Sequence, residues 1–370
     1  MENQQLIYSK FDEENILIYI KKSKKFIIVS RSIFLLMKTY LSKSKKSFLQ
    51  YLKIHHKKSD SNKIIEELNH LLKFEKDKIF EYNNQPPTSL KGKFKFSLNN
   101  KNYLLLHDNS INLNDIIGQL FHLSYDFNEN FRTFKVFKSN KKYILFFDDK
   151  FIGYWGKESI NLLKGKILSI LICNYHNLVE DRWAGFLHGS IVKNKNKSFL
   201  IIGSSGSGKT SLAALMVKNG YSLICDDLAP LNNNEAFGNF PNALSIKDSQ
   251  NNIFKKYLFN DFLSYSTNTF KGKITYLYPK KEKVINKYFK CNIILKIKYQ
   301  EEAIFKINNP SKFEILNEFI NESFIPRNDL SVKAFINWFN YCQFYEIEYS
   351  EIKDLTDKSF LGINDSLINS

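Results

Sequence analysis

The stretch from Phe199 to Asp227 constrains this chain more than any other. It opens with the apolar run Phe199-Leu-Ile-Ile, passes through glycines at 203, 206 and 208, and enters a helical pattern at Lys209-Thr210-Ser211. Glycines let a backbone turn its N–H groups toward an anion without Cβ clashes, and the helix that follows adds its positive N-terminal end. A Gly/Ser linker has a similar composition, but it is not framed by an apolar strand and an amphipathic helix with a lysine at the junction. The expected phosphate cradle is therefore Gly203, Ser204, Ser205, Gly206, Ser207, Gly208, Lys209, Thr210 and Ser211. In such a loop Lys209 reaches the β- and γ-phosphates of a nucleotide and the Thr210 hydroxyl ligates Mg²⁺.

The helix is followed by a second β-prone run, Ser222-Leu-Ile-Cys, closed by Asp226-Asp227. Residues at strand C-termini of an open sheet face the ligand crevice. A carboxylate pair there can serve two purposes, one carboxylate holding Mg²⁺, directly or through water, and the other accepting the proton of an attacking hydroxyl. A solvated turn or helix cap is the alternative use of such a pair. Upstream, a polar turn at Asn194 to Lys197 separates Ser190–Lys193 from Phe199–Ile202, which predicts a hairpin with His188 at its entrance.

Composition narrows the class. A chain of 370 residues with 43% hydrophobic residues can bury two or three cores. The longest nearly apolar run, Ile167 to Cys173, is too short to span a bilayer, and the N-terminus has no signal-peptide pattern, so the expectation is a cytoplasmic protein without a membrane partner. Cys173, Cys225, Cys291 and Cys342 are far apart and have no metal or disulfide spacing. The net charge of +17 is almost entirely lysine: Arg31, Arg132, Arg182 and Arg327 are the arginines. Base and phosphate-fork recognition favours arginine, so no specific nucleic-acid partner is expected, although the basic surface can steer a nucleotide or an acidic peptide.

Residues 1–82 read as a small α+β unit. Three β-prone runs around Leu6–Tyr8, Asn15–Ile20 and Lys25–Val29 precede helical patterns at Ile33–Leu41, Lys46–Ile54 and Asn62–Leu72, with Lys78–Tyr82 at the end, a winged-helix-like outline. Residues 83–92, with paired prolines, form the expected linker. From 93 to 370 the chain reads as a nucleotide-binding domain. Its strands are expected at Lys93–Leu98, Tyr103–Leu106, Phe134–Phe137, Tyr143–Phe147 and Phe151–Trp155, with helices at Leu113–Phe121 and Glu158–Asn177. Beyond the Asp pair, 230–250 reads as loop, with strands at Ile274–Tyr278 and Cys291–Lys298. Helices follow at Pro310–Phe319 and Ser331–Phe344, and a last strand at Tyr345–Tyr349.

The order Leu187-His-Gly-Ser, Gly203-Ser-Ser-Gly-Ser-Gly-Lys-Thr, Gly220-Tyr-Ser-Leu-Ile-Cys-Asp-Asp resembles the HPr kinase/phosphorylase-like serine kinases, with His188 twenty-one residues before Lys209 and Asp227 eighteen after it. The resemblance covers roughly residues 100 to 365 and is to the smaller members found beside peptide-modifying enzymes. It implies an α/β fold of the HPr kinase C-terminal, phosphoenolpyruvate carboxykinase-like P-loop type. It also implies ATP and Mg²⁺, Asp227 as general base, Asp226 as a metal-side partner, Lys209 on the transferring phosphoryl group, Thr210 on Mg²⁺ and His188 near the γ-phosphate. The Glu-x-Arg-Gly-x-Gly segment of that family has no counterpart between Asp227 and Pro310, which leaves Arg327 as the candidate second phosphate contact. Residues 1–82 are similar in pattern to the PqqD-like elements that bind a leader peptide by strand addition; a structural cap with no ligand is the other use of such a unit.

The expectation is therefore an ATP-dependent kinase for a Ser or Thr hydroxyl on a peptide or protein, acting in ribosomal peptide modification, with a homo-oligomer among the assemblies open to it. Two other functions stay open: a nucleotide-binding accessory protein that recruits a peptide to a partner enzyme, and a small-molecule hydroxyl kinase.

Overall fold

The computed structural model describes residues 5–56, 60–73, 85–87, 89–125, 130–195, 197–247, 259–280 and 287–351. It is a mixed α/β protein with several sheets. The expected segment Lys78–Tyr82 and part of the expected linker lie outside the described residues.

The chain begins with a three-stranded antiparallel sheet, β1 (Leu6–Lys10), β2 (Asn15–Ile20) and β3 (Lys25–Ser30), followed by α1 (Arg31–Ser42), α2 (Lys45–His55) and α3 (Ser61–Leu72). Each helix starts on a side-chain cap, Ser30, Ser44 and Asp60 in turn, which satisfies otherwise orphaned first-turn N–H groups. The central strand explains its own continuous apolar run. Ile18 and Ile20 pack toward α1–α3, while Leu17 and Tyr19 join the core of the rest of the protein, so both faces are buried.

The next layer is a five-stranded sheet in the order β4 (Gly92–Leu98), β5 (Lys101–His107), β6 (Phe131–Ser139), β7 (Lys142–Phe147) and β8 (Lys150–Gly156). Between β5 and β6, only Asn114–Ile117 (α4) is α-helical where a helix to Phe121 is expected; a 3-10 segment, Gly118–Leu123, follows. A Cβ on Gly118 would lie 2.3 Å from the Tyr276 hydroxyl oxygen, so the close approach of a neighbouring strand takes precedence over helix continuation. Helix α5 (Ile160–His176) then packs Leu163, Ile167, Leu171 and Ile172 into the main core.

The central six-stranded sheet has the order β12-β10-β11-β19-β21-β20. Its members are β10 (Ser190–Lys193), β11 (Ser198–Ile202), β12 (Ser222–Cys225), β19 (Ile293–Tyr299), β20 (Lys306–Asn308) and β21 (Gln343–Tyr349). Strand β9 (Trp183–Leu187) belongs to a second sheet with β13 (Ala229–Asn232), β14 (Phe237–Gly238) and β18 (Tyr288–Phe289), and β15 (Leu244–Lys247), β16 (Phe262–Thr269) and β17 (Gly272–Pro279) form a third. Helix α6 (Lys209–Lys218) covers one face of the central sheet. The other face is covered by α7 (Lys312–Glu322) and α8 (Asp329–Asn340). Strand β11 is buried on both faces, Phe199 and Ile201 toward α6, Leu200 and Ile202 toward the main core. Four side chains of that size buried in a five-residue strand contribute roughly 1.5–3 kcal/mol each.

Within the expected loop over 230–250, the described residues to 247 hold three short strands, β13, β14 and β15, and 248–250 lie outside the described residues. They are too short to show a period, and their turn residues dominate the pattern: the Asn232 side chain accepts from the backbone N–H of Asn234 and Ala236 and closes the β13–β14 turn. Strand β16 is likewise absent from the sequence expectation, because its outer face leaves Leu263 and Tyr265 exposed and shows no polar-out alternation. Helix α8 ends at Asn340, four residues before the expected Phe344, and β21 begins at Gln343, whose N–H pairs with the Asn292 carbonyl.

Candidate functional site

Strand direction brings the distant motifs together. Strand β10 runs antiparallel to both β11 and β12, so the entrance to β10 and the exits of β11 and β12 lie at one edge of the sheet. His188 precedes β10, the Gly203–Gly208 loop follows β11, and Asp226-Asp227 follows β12. That edge opens into a cleft of about 890 Å³.

The loop has the conformation its glycines predict. Gly203, Gly206 and Gly208 all have positive φ, at 143°, 88° and 99°. A Cβ on Gly208 would stand 2.0 Å from the Tyr349 hydroxyl oxygen, and that hydroxyl donates to the Ser207 carbonyl at 2.9 Å, so β21 clamps the loop from behind. Ser204, Ser205, Gly206, Gly208, Lys209, Thr210 and Ser211 line the cleft, whereas Gly203 and Ser207 sit behind it. The Ser207 hydroxyl is buried with no hydrogen-bond partner. The Lys209 ammonium donates to the carbonyls of Gly203 and, at 3.2 Å, Ser204, and so lies across the mouth of the cradle.

Asp227 faces the loop from the opposite wall, at a positive φ of 61°. Its Oδ2 accepts from Lys164 Nζ at 2.6 Å and from Gln119 Nε2 at 2.5 Å. Burial alone would raise its pKa, but the Lys164 ammonium and the nearby His188 more than offset that and hold the carboxyl well below the usual range. His188 accompanies it: Nδ1 is 3.1 Å from the Asp227 carbonyl oxygen and Nε2 is 3.9 Å from Glu322 Oε2 at the end of α7. A bond to a carbonyl requires Nδ1 to carry the proton. Burial lowers the His188 pKa, opposed by Asp227 and reinforced by Lys209, so the ring favours its neutral form.

Two expected site residues are placed elsewhere. Asp226 is buried and does not line the cleft. The Ser190 hydroxyl donates to its Oδ1 and the Ser245 N–H to Oδ2 at 3.2 Å, while its own N–H bonds Asn242 Oδ1 at 2.9 Å. Burial, with the negative charge of Asp227 beside it, raises its pKa to about 7. The carboxylate is turned into the core to tie β12 to β10 and β15, because consecutive residues leaving a strand point to opposite sides. Arg327 is exposed, is not among the cleft-lining residues, and uses its carbonyl to accept from the Tyr19 hydroxyl at 3.4 Å, at the junction with the N-terminal sheet.

The positive charge in the cleft comes instead from lysines outside the motif: Lys164 and Lys166 on α5, Lys247 at the end of β15, and Lys271 in the β16–β17 turn. Sequence reading had one available signal, since Lys164 and Lys166 are the cationic breaks in the otherwise apolar first turns of α5. Gln119 and Lys271 carry no local signal. Among the described residues no group of three or more His, Cys, Asp or Glu side chains is placed to hold a metal ion. No helix of the described residues is long and apolar enough to cross a membrane.

Comparison with protein-family models finds no match, and no curated protein matches the chain. Among solved structures, the Hpr(Ser) kinase/phosphatase from Coxiella burnetii aligns with 48% of this chain and 97% of its own, at 12% sequence identity and a TM-score of 0.20. An overlap that shallow adds nothing to the chemistry, which rests on the residues themselves.

Proposed function

We propose that the protein is an ATP-dependent kinase that transfers a phosphoryl group to a Ser or Thr hydroxyl of a peptide or protein. The observation that carries this is the single cleft in which Asp227 faces the phosphate loop with Lys209 and Thr210 on the other wall. The positive-φ glycines and the Lys209 ammonium resting on the loop's own carbonyls suit a polyphosphate that would take the lysine over. Mg²⁺ fits the same wall through the Thr210 hydroxyl, with nucleotide oxygens and water completing its shell, as is usual for this ion. When bound it would neutralise charge on the phosphates.

The acceptor hydroxyl gives its proton to Asp227 as its oxygen bonds to the γ-phosphorus, and the bond to the β-phosphate oxygen breaks with its electron pair leaving on ADP. A carboxylate with a low pKa is a weak base, which suits a loose transition state where the proton moves late and positioning does most of the work. Lys209 stabilises charge on the transferring group, and neutral His188 presents Nε2 toward the same space.

The N-terminal unit fits a role in peptide delivery, with Leu35 60% exposed on α1. Its sheet shares the main core through Leu17 and Tyr19, so a point change, Leu35→Glu, tests that role better than deletion. Labelled ATP, Mg²⁺ and a serine-peptide library test the activity: transfer by the native chain and its loss in Asp227→Asn support it. ATP binding without transfer to any peptide would favour an accessory role instead.

A further inference from the structure

Besides Lys209 in the loop, the cleft is lined by lysines from three other parts of the fold. Five lysines line the cleft, Lys164, Lys166, Lys209, Lys247 and Lys271, against Asp115, Asp227 and Glu322. Lys209 belongs to the phosphate loop, and Lys166 is paired with Glu180 at 2.5 Å. Lys164 is paired with Asp227 at 2.6 Å, and Lys247 and Lys271 line the same cleft as that pair. After burial, repulsion from Lys164 and Lys247 is what lowers the Lys271 pKa, a repulsion that a bound anion would relieve.

Lys271 is held in place. It sits in the tight turn that joins β16 to β17, with Gly272 at a positive φ of 92°. The turn is pinned over the cleft from the α4 side: Phe270 N–H donates to Asp115 Oδ1 at 2.8 Å and Asn112 Nδ2 to the Asn268 carbonyl at 3.0 Å. The pinned turn carries the exposed Lys271 side chain into the lining of the cleft that also holds Asp227, where it can meet whatever flanks the acceptor hydroxyl.

We infer that the acceptor is an acidic peptide segment, with carboxylates next to the phosphorylated Ser or Thr, and that Lys271, with Lys164 and Lys247, is the site that reads them. The inference rests on the kinase reading above, because that reading makes the Asp227 wall the acceptor side. It also gives the Lys164–Asp227 ion pair a purpose: a substrate carboxylate that draws Lys164 toward itself leaves Asp227 free to take the hydroxyl proton.

The test uses the full chain saturated with a non-hydrolysable ATP analogue and Mg²⁺. Fluorescence anisotropy compares labelled serine peptides flanked by Glu with the same peptides flanked by Gln, at physiological salt to screen long-range attraction. The Glu peptides are expected to bind about tenfold more tightly, a difference of about 1.4 kcal/mol. Lys271→Met should remove most of that preference without changing affinity for the ATP analogue, whereas Lys333→Met, an exposed charge outside the cleft, should leave it intact; matching thermal unfolding of the three proteins excludes misfolding. Equal binding of Glu and Gln peptides, or an equal loss in Lys333→Met, overturns the inference. Weaker nucleotide binding in Lys271→Met also overturns it, by assigning the lysine to the nucleotide. Labelled ATP separates this inference from the kinase reading. Transfer to Glu and Gln peptides alike keeps the kinase and rejects the acidic acceptor; a Glu preference in binding with no transfer keeps the acidic ligand and rejects the kinase.

Discussion

The two walls of the cleft are built in opposite ways. The glycine-rich loop wall is one contiguous segment, Ser204 to Ser211, whose proposed phosphate chemistry would be carried largely by backbone and by residues adjacent in sequence. The facing wall is assembled from Lys164, Asp227 and Lys271, on three elements separated by up to about 110 residues. A cradle of backbone N–H groups needs a particular run of glycines and therefore leaves a motif. A wall of long side chains needs only that the fold bring them within a few ångströms, and it leaves none. The Asp pair lies on the boundary between these two situations: Asp227 enters the cleft and Asp226, one residue away, is committed to the core.

If the walls divide the work as proposed, loss of the facing wall's carboxylate should have the largest effect. Asp227→Asn is expected to slow transfer by about 10²–10⁴-fold with ATP affinity unchanged, as read by single-turnover kinetics and calorimetry. Lys209→Met should differ in weakening nucleotide binding, by about an order of magnitude or more, in addition to slowing transfer. Gly208→Ala should lower stability by about 1–3 kcal/mol, because it places a Cβ at positive φ against the Tyr349 hydroxyl; a companion Tyr349→Phe change should recover part of the loss in thermal unfolding.

Smaller effects sharpen the comparison through pH. In Lys164→Met, Asp227 loses the charge that holds its pKa down while its burial remains, so its pKa rises. The acid limb of the rate–pH profile should then move to higher pH than in the native chain. Asp226 works in the opposite direction. Its folded-state pKa is raised to about 7, so the stability it contributes is full below its unfolded value near 3.8 and is lost as pH rises through about 7. Asp226→Asn should flatten the stability–pH curve in that window with little effect on nucleotide binding. The fold tolerates the change because the Ser190 hydroxyl can turn to accept from the new amide while the amide oxygen keeps the Ser245 N–H.

Legibility of the fold follows the same division. The N-terminal strands and helices, the β10–β11 hairpin and the apolar run of β11 are visible in sequence, because each buries a regular face and most are bounded by caps or turns. The strands between Ala229 and Lys247 are not, since two to four residues cannot display a period and Asn232 signals only its turn. Within the site, Lys209, Thr210, His188 and Asp227 are recoverable from spacing and all reach the cleft. Arg327, expected at the site only because no other arginine follows Arg182, lies at the junction with the N-terminal sheet; lysines supply the cleft's positive charge instead.

The most direct measurement is single-turnover transfer from γ-labelled ATP with Mg²⁺ to a library of serine peptides, run in parallel on the native chain and Asp227→Asn. The two-wall account predicts label on a peptide hydroxyl with the native protein, and at least about 10²-fold slower transfer in the variant at unchanged ATP affinity. Equal transfer rates for the two proteins, or loss of ATP binding along with transfer in Asp227→Asn, would contradict it.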